Sequence, residues 1–590
     1  MILDRVNYPQ DLKVLSYEEL KTLASEIREL IIKKVNITGG HMGPNLGVVE
    51  ATIAMHYVFN TPADKIVYDV SHQCYPHKIL TGRKEGFTNP DKYLTYTGYT
   101  APEESEYDLF KVGHTSTSVS LATGVAKARD LKGENYNVIA LIGDGSLTGG
   151  EALEGLDNAA TLGSNIIIVV NDNEMSIAEN HGGIYDNLKL LRDSNGKAEP
   201  NFFKTLGFEY LYVENGNSIE DLINAFKSVK DTNRPVIVHI RTLKGCGLSV
   251  AETNKEAFHW IMPGTLDQTD NSSAFYGESY ESITKDFISK KVEEKSPVCV
   301  VVAGTPGVFG YDKSYRENLG KHYTDVGIAE EHAVAYSSAM AKSGAKPILC
   351  LMSSFVQRTY DQMSQDLCLN NSPVTMLIYW GGLSGADATH LCSFDMPLIS
   401  NIPNMVYLAP TNKEEYLAML EYSYNQNEHP VAIRVPSCGL ISAGIADQTD
   451  YSKINKFSMT ENGEKIAIIG LGNFYNLAKE VKEEIRSKLG INSTLINPKF
   501  ISGIDTEMLE SLKANHNLVI TLEDGMLDGG FGEKITRYYG NSNMRVLNFG
   551  GIKEFTDRVP LNELYERYHL TKEQITDDAK KCLNDIFAVC

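Results

Sequence analysis

Short, wholly apolar runs recur along this chain, each closed by glycine or polar residues and followed by a stretch of helical period. "NVIALI" (137–142), "NIIIVV" (165–170), "PVIVHIR" (235–241), "VCVVVAG" (298–304), "ILCLM" (348–352), "VTMLIY" (374–379) and "VAIRV" (431–435) belong to this pattern. Runs this short and this apolar read as strands buried on both faces. A strand buried on both faces needs helices on both sides, so the expected fold is α/β with mainly parallel, doubly wound sheets. The helical partners have their own signals. "SYEELKTLASEIRELIIK" (16–33) alternates at helical period, with Ser16 and Glu19 spaced as a capping box. A chain of 590 residues holds several cores. Polar stretches at 262–282 and 443–465 divide it. The expected domains are 1–285 (with the first stretch as a linker), 286–455 and 456–590. The third is built on "KIAIIGLG" (465–472), "NLVITL" (517–522) and "MRVLN" (544–548).

Composition narrows the function. A net charge of −21 argues against a nucleic-acid partner, which usually meets a basic face. No apolar run approaches the roughly 18 residues of a membrane span, and the N-terminus lacks the apolar core of a signal peptide. The nine cysteines form no C-x-x-C pair, so they read as reduced thiols of a cytoplasmic protein rather than zinc ligands.

The chemistry starts at "ALIGDGSLTGG" (140–150). A strand that ends in glycines and opens a helix is a phosphate cradle, yet there is neither a G-x-G-x-x-G nor a P-loop lysine. An isolated Asp-Gly is usually a turn. Here, 29 residues after Asp144, the run "NIIIVV" ends in "NDNEMSIAEN" (171–180), which sets Asn173 just past a second strand end. Ligands of open α/β sheets lie outside the carboxyl ends of strands. Two oxygen ligands beside a phosphate cradle suit Mg²⁺, which typically combines one or two protein oxygens with phosphates and water. Asp144 would therefore hold the metal that holds the phosphate.

This pair of motifs is that of thiamine diphosphate enzymes. With "SHQCYPHKILTGR" (71–83), "VGHTSTSVSLATGVA" (112–126) and "DVGIAEEHAV" (325–334), the chain resembles the 1-deoxy-D-xylulose-5-phosphate synthases, relatives of transketolase, from about residue 3 to 585. The resemblance implies three transketolase-like domains: diphosphate-binding, aminopyrimidine-binding and a C-terminal domain without catalytic groups. It also implies a homodimer that uses thiamine diphosphate and Mg²⁺, with Mn²⁺ or Ca²⁺ able to substitute. Asp144, Asn173 and the carbonyl of Met175 match the metal ligands. Gly145 and Ser146 match the diphosphate cradle. His72, Gly113, His114, Thr115 and Lys244 match further cofactor contacts. Glu330 matches the carboxylate that shares a proton with the pyrimidine ring, a task that requires a protonated acid and is favoured by burial. Phe355 matches the aromatic stacked on that ring. His41 and His259 match two histidines near the reacting carbon, and Asp387 with His390 an Asp–His pair in a loop one residue shorter than the family's. Arg358 and Arg434 match family arginines at the substrate.

The acceptor side departs from the family. Its phosphate-binding positions become Pro44, Met352, Trp380 and Ser437, the last two in place of arginines, while Pro102 and Leu248 replace an arginine and a tyrosine. The expected activity is a carboligation in which pyruvate is decarboxylated and its two-carbon unit passes to an aldehyde other than glyceraldehyde 3-phosphate. Ketol transfer from a ketose, and cofactor binding without turnover, stay open as alternatives.

Overall fold

The computed structural model describes residues 1–267 and 277–589. Of the stretch read as a linker, residues 268–276 lie outside the described residues. The rest forms two compact units. One is the chain before this stretch together with Gly327–Ala329, and the other is the remainder of the chain after it.

Among its described residues the first unit has seven strands: β1 (Gly40–His41), β2 (Lys65–Tyr68), β3 (Val138–Gly143), β4 (Ile166–Asp172), β5 (Glu209–Val213), β6 (Pro235–Arg241) and β7 (Trp260–Ile261). Five form a parallel sheet in the order β2-β3-β4-β6-β5. Alternate residues of its strands enter two separate cores. Ile139, Leu141, Ile167 and Val169 point into one, and Val138, Ala140, Ile142, Ile168 and Val170 into the other. Both faces are buried, which is why the central stretches of β3 and β4 are apolar on both sides, polar residues entering β4 only at its carboxyl end. The short β1 and β7 pair antiparallel, His41 opposite Trp260. The helix Tyr17–Thr38 begins at the expected capping box, with Ser16 Oγ accepting from Glu19 N and the Glu19 carboxylate from Ser16 N.

The second unit carries two sheets. β8 (Val298–Val302), β9 (Tyr323–Asp325), β10 (Lys346–Met352), β11 (Thr375–Tyr379), β12 (Val406–Leu408) and β13 (Val431–Arg434) form a parallel sheet in the order β12-β13-β11-β10-β8-β9. β14 (Ser458–Glu461), β15 (Lys465–Gly470), β16 (Thr494–Asn497), β17 (His516–Met526) and β18 (Arg545–Gly551) form the other, in the order β14-β16-β15-β17-β18. One apolar core runs through both, from Val301 and Ile378 to Ile469 and Val519. β14 falls inside the polar stretch 443–465. It is an antiparallel edge strand with mostly exposed side chains, so it carries no apolar run by which to be read. Among the described residues no helix is long and apolar enough to cross a membrane.

Candidate active site

In the first unit the site grows from the carboxyl ends of β3, β4 and β6. Gly143 is in register with Asn171, so Asp144 and Asn173 leave the sheet side by side. Asp144 is buried. Its Oδ1 accepts from Gly145 N at 3.0 Å and its Oδ2 from Asn180 Nδ2 at 2.9 Å. Burial and the neighbouring Asp172 push its carboxyl up to about 7. Asp172, although burial opposes it, is held below the usual range by His239 and Arg192. A hard cation beside Asp144 would relieve this unfavourable burial. The Oδ1 of Asn173 is buried with no hydrogen-bond partner, as an oxygen awaiting such a cation would be. A Cβ on Gly145 would lie 2.8 Å from Ser176 Cβ and Oγ, so only glycine lets the turn approach that closely. These observations fit a metal-bound diphosphate.

The rest of the cradle is tied to this turn. Asp69, just past β2, accepts from Ser116 N (2.9 Å) and Ser118 N (3.0 Å). Ser116 Oγ donates to Ser146 O at 2.8 Å, which joins the loop of Gly113, His114 and Thr115 to Gly145 and Ser146. Lys244, beyond β6, is buried and donates to Ser176 O at 2.5 Å, and burial lowers its ammonium to about 7. Its Nζ also lies 3.0 Å from His259 Nδ1.

Three histidines from distant parts of the chain meet here. Ring centroids are 4.9 Å apart for His41 and His72, 5.5 Å for His41 and His259, and 5.3 Å for His72 and His259. Burial first, then Lys244 and the other two imidazoles, hold His259 well below its ordinary pKa, which favours the neutral imidazole. Two features that hold this cluster escaped the sequence reading. Asn45 is fully buried and donates through Nδ2 to the carbonyls of both His41 and His72, each at 2.8 Å. Val70 and Ser71 both have positive φ (57° and 62°), a strained elbow that presents His72. Ser71 Oγ secures it by accepting from Thr100 N and donating to Val112 O.

In the second unit, Glu330 opens the helix Glu330–Lys342 after β9. It is buried, and its Oε2 has no hydrogen-bond partner. Burial raises its carboxyl above the usual range, against Arg358, whose Nη1 stands 3.6 Å from Oε2. Phe355 follows β10, and its ring meets that of His390 edge-on at 5.9 Å. His390 Nδ1 is 3.4 Å from Asp387 Oδ1. Although burial opposes it, His390 and Thr389 hold Asp387 down to about 2.

Beside them runs a wall of different character. Gly382 N donates to Cys392 O at 2.9 Å, so Trp380-Gly381-Gly382 lies next to the His390 loop. Trp380 is 50% exposed with φ +61°, a genuine outlier for a bulky residue. Arg434, expected at the substrate, is buried among carboxylates. It donates to Asp395 Oδ2 (2.7 Å) and Oδ1 (3.1 Å), to Asp524 Oδ1 and to Asp524 O (3.4 Å). One cation faces two carboxylates, so the wall is net negative. Ser437 Oγ donates to Gly381 O at 3.1 Å and accepts from Asn473 at 3.2 Å, so its single proton is engaged. Met352 is buried.

The comparisons with known proteins agree along the chain. Residues 3–201 and 193–242 match the family model described as 1-deoxy-D-xylulose-5-phosphate synthase. Residues 279–438 match the transketolase pyrimidine binding domain, and 455–575 the transketolase C-terminal domain. The 1-deoxy-D-xylulose-5-phosphate synthase of Clostridium tetani is 38% identical over 98% of this chain and 99% of its own length. That of Carboxydothermus hydrogenoformans is 37% identical over 97% and 98%.

Proposed function

This chain belongs to the 1-deoxy-D-xylulose-5-phosphate synthase family and is a thiamine diphosphate-dependent transferase, and we propose that it decarboxylates pyruvate and passes the two-carbon unit to an unphosphorylated aldehyde. The observation that carries the carboligase reading is the Glu330 carboxyl, buried, with its pKa raised above the usual range by that burial and with Oε2 free of any hydrogen bond. When bound, thiamine diphosphate supplies the nucleophilic carbon and electron sink for cleaving the bond to the carboxylate. The chain does the rest. Asp144, Asn173 and the Met175 carbonyl would hold Mg²⁺, and Gly113, His114, Thr115, Gly145, Ser146, His72 and Lys244 the diphosphate. Glu330 would hold a proton at the pyrimidine ring and Phe355 would pack against that ring. His41 and His259 would move protons at the substrate, and in the second unit His390, oriented by Asp387, would serve as a further polar group. The working form is a cytoplasmic homodimer of three-domain chains, with boundaries near 285 and 455.

The acceptor reading rests on the wall of Trp380, Arg434 and Ser437. A phosphate dianion needs charge-assisted donors. At this wall it would meet an arginine already engaged by two carboxylates and a hydroxyl already donating, a mismatch worth several kcal/mol. A decarboxylation assay with pyruvate and a panel of aldehydes tests both readings. Carbon dioxide release that depends on an unphosphorylated aldehyde is the expected result. Turnover of glyceraldehyde 3-phosphate at about 10⁴ M⁻¹s⁻¹ or more would overturn the acceptor reading. Absence of carbon dioxide release with any partner would overturn the donor.

A further inference from the structure

The loop from Met175 to Gly182 has little regular structure, yet it is held over Asp144 from several sides. Met175 bridges Glu179, and Ser176 N donates to Ala178 O at 3.1 Å. Lys244 Nζ donates to Ser176 O. Beyond the loop, Tyr185 OH lies 3.2 Å from the carbonyls of both Asp144 and Gly145. Within it, Asn180 donates through Nδ2 to Asp144 Oδ2 at 2.9 Å, while its own Oδ1 is buried without a hydrogen-bond partner. Asn173 Oδ1 is buried and unpartnered as well. Two orphaned amide oxygens therefore accompany one buried carboxylate at the mouth of the cradle. Each unpaired buried acceptor costs about 1–3 kcal/mol. Two in one place point to a missing ligand that brings positive charge and hydrogen-bond donors together. A hydrated divalent cation does both, since Mg²⁺ gives up its waters reluctantly and those waters donate.

We propose that Asn180 is a positioning residue of the cation site, its Nδ2 fixing the Asp144 carboxylate and its Oδ1 accepting from a water carried by the cation. This inference rests on the cation site proposed above, and it adds a consequence for the loop. Because Asn180 belongs to the segment 175–182, cation binding and ordering of that segment are coupled. Groups that orient a metal ligand from behind typically change metal affinity 10–100-fold when removed.

The test uses the full chain, Mn²⁺ as the probe and thiamine diphosphate at a fixed saturating level, with bound Mn²⁺ read by electron paramagnetic resonance. Asn180→Ala should weaken Mn²⁺ binding 10–100-fold, with the native fold at the assay temperature verified by circular dichroism. Asn180→Ser, with a smaller structural perturbation, should weaken it in the same direction. Amide hydrogen exchange gives the second readout. In the wild type, Mn²⁺ and thiamine diphosphate should slow exchange across 175–185, and in Asn180→Ala that protection should be lost. Mn²⁺ affinity within twofold of wild type in both variants, with protection retained, would overturn the role of Asn180 and leave the cation site standing. If the wild type itself binds no Mn²⁺, the cation site falls and this inference with it.

Discussion

Glu330 and Arg434 are both buried ionisable side chains in the parallel-sheet half of the second unit, and they differ in what surrounds them. Glu330 has Arg358 Nη1 3.6 Å from its Oε2, too far for a hydrogen bond, and burial favours its neutral form. Arg434 is enclosed by Asp395 and Asp524, so its charge is satisfied before any substrate arrives. From this contrast Glu330→Gln should fold and bind thiamine diphosphate but lose proton transfer to the pyrimidine, slowing C2–H exchange of the cofactor by about 10²–10⁴-fold. Exchange followed by NMR measures this directly, and a wild-type rate in the variant would remove Glu330 from its role. The reciprocal change concerns the wall. Trp380→Arg with Ser437→Arg adds two guanidinium forks where the wild type has an indole and an engaged hydroxyl, so kcat/KM should rise for a phosphorylated aldehyde and fall for an unphosphorylated one. Steady-state kinetics with both acceptors decides it. Sequence alone could name the two wall residues but not the state of Arg434. "VAIRV" reads the same whether its arginine faces solvent or two carboxylates, and those carboxylates lie 39 and 90 residues away. Asn45 and Asn180 were illegible for a related reason: a lone asparagine, whether in the short helix Gly43–Gly47 or in an irregular loop, gives no pattern until its partners are seen.

At the scale of elements, the apolar runs were legible because a strand covered on both faces has no polar position to interrupt it. β14 was not, because a solvent-facing edge strand resembles a loop in composition. The short helix Phe531–Tyr539 shows what a sequence pattern omits in another way. It has no capping side chain of its own. Its first amides donate instead to Glu523 of β17, Phe531 N to Oε2 at 2.8 Å and Gly532 N to Oε1 at 2.7 Å. A Cβ at Gly530 would come within 2.6 Å of that Oε2, so glycine is required for the approach. Burial nevertheless raises Glu523 to about 7 from an ordinary 4.5, outweighing the two amides. Between those values the folded chain holds a proton that the unfolded chain releases. The associated stability is therefore full below about pH 4.5 and lost as pH rises through about 7. The loss amounts to about 3 kcal/mol at most. Denaturant unfolding at pH 5.5 and 8.5 should show the wild type weaker at the higher pH, and Glu523→Gln should shrink that difference. An unchanged difference would mean that another group sets it.

For the whole molecule the governing quantity is charge. The chain is net −21, and at the cradle mouth the buried Asp144 and Asp172 are neighbours, so the site's own charges offer a diphosphate little attraction. Lys244, with its ammonium lowered to about 7, offsets only part of this at neutral pH. A divalent cation changes the sign of the interaction, because it is attracted to Asp144 and to the diphosphate at once. Cofactor binding should therefore be conditional on the cation, and stability with it. A ligand that binds only the folded chain stabilises it by about 2.7 kcal/mol at a hundred times its Kd. Thermal melts with thiamine diphosphate and Mg²⁺ together should show this as a raised Tm. Thiamine diphosphate alone, with divalent ions removed by EDTA, should leave Tm near that of the cofactor-free protein, and Mn²⁺ or Ca²⁺ added back should restore the rise. In Asp144→Ala the rise should be absent under every condition. A full rise in the presence of EDTA would show that the cradle holds diphosphate through its own donors, and the metal assignment of Asp144 and Asn173 would then be wrong.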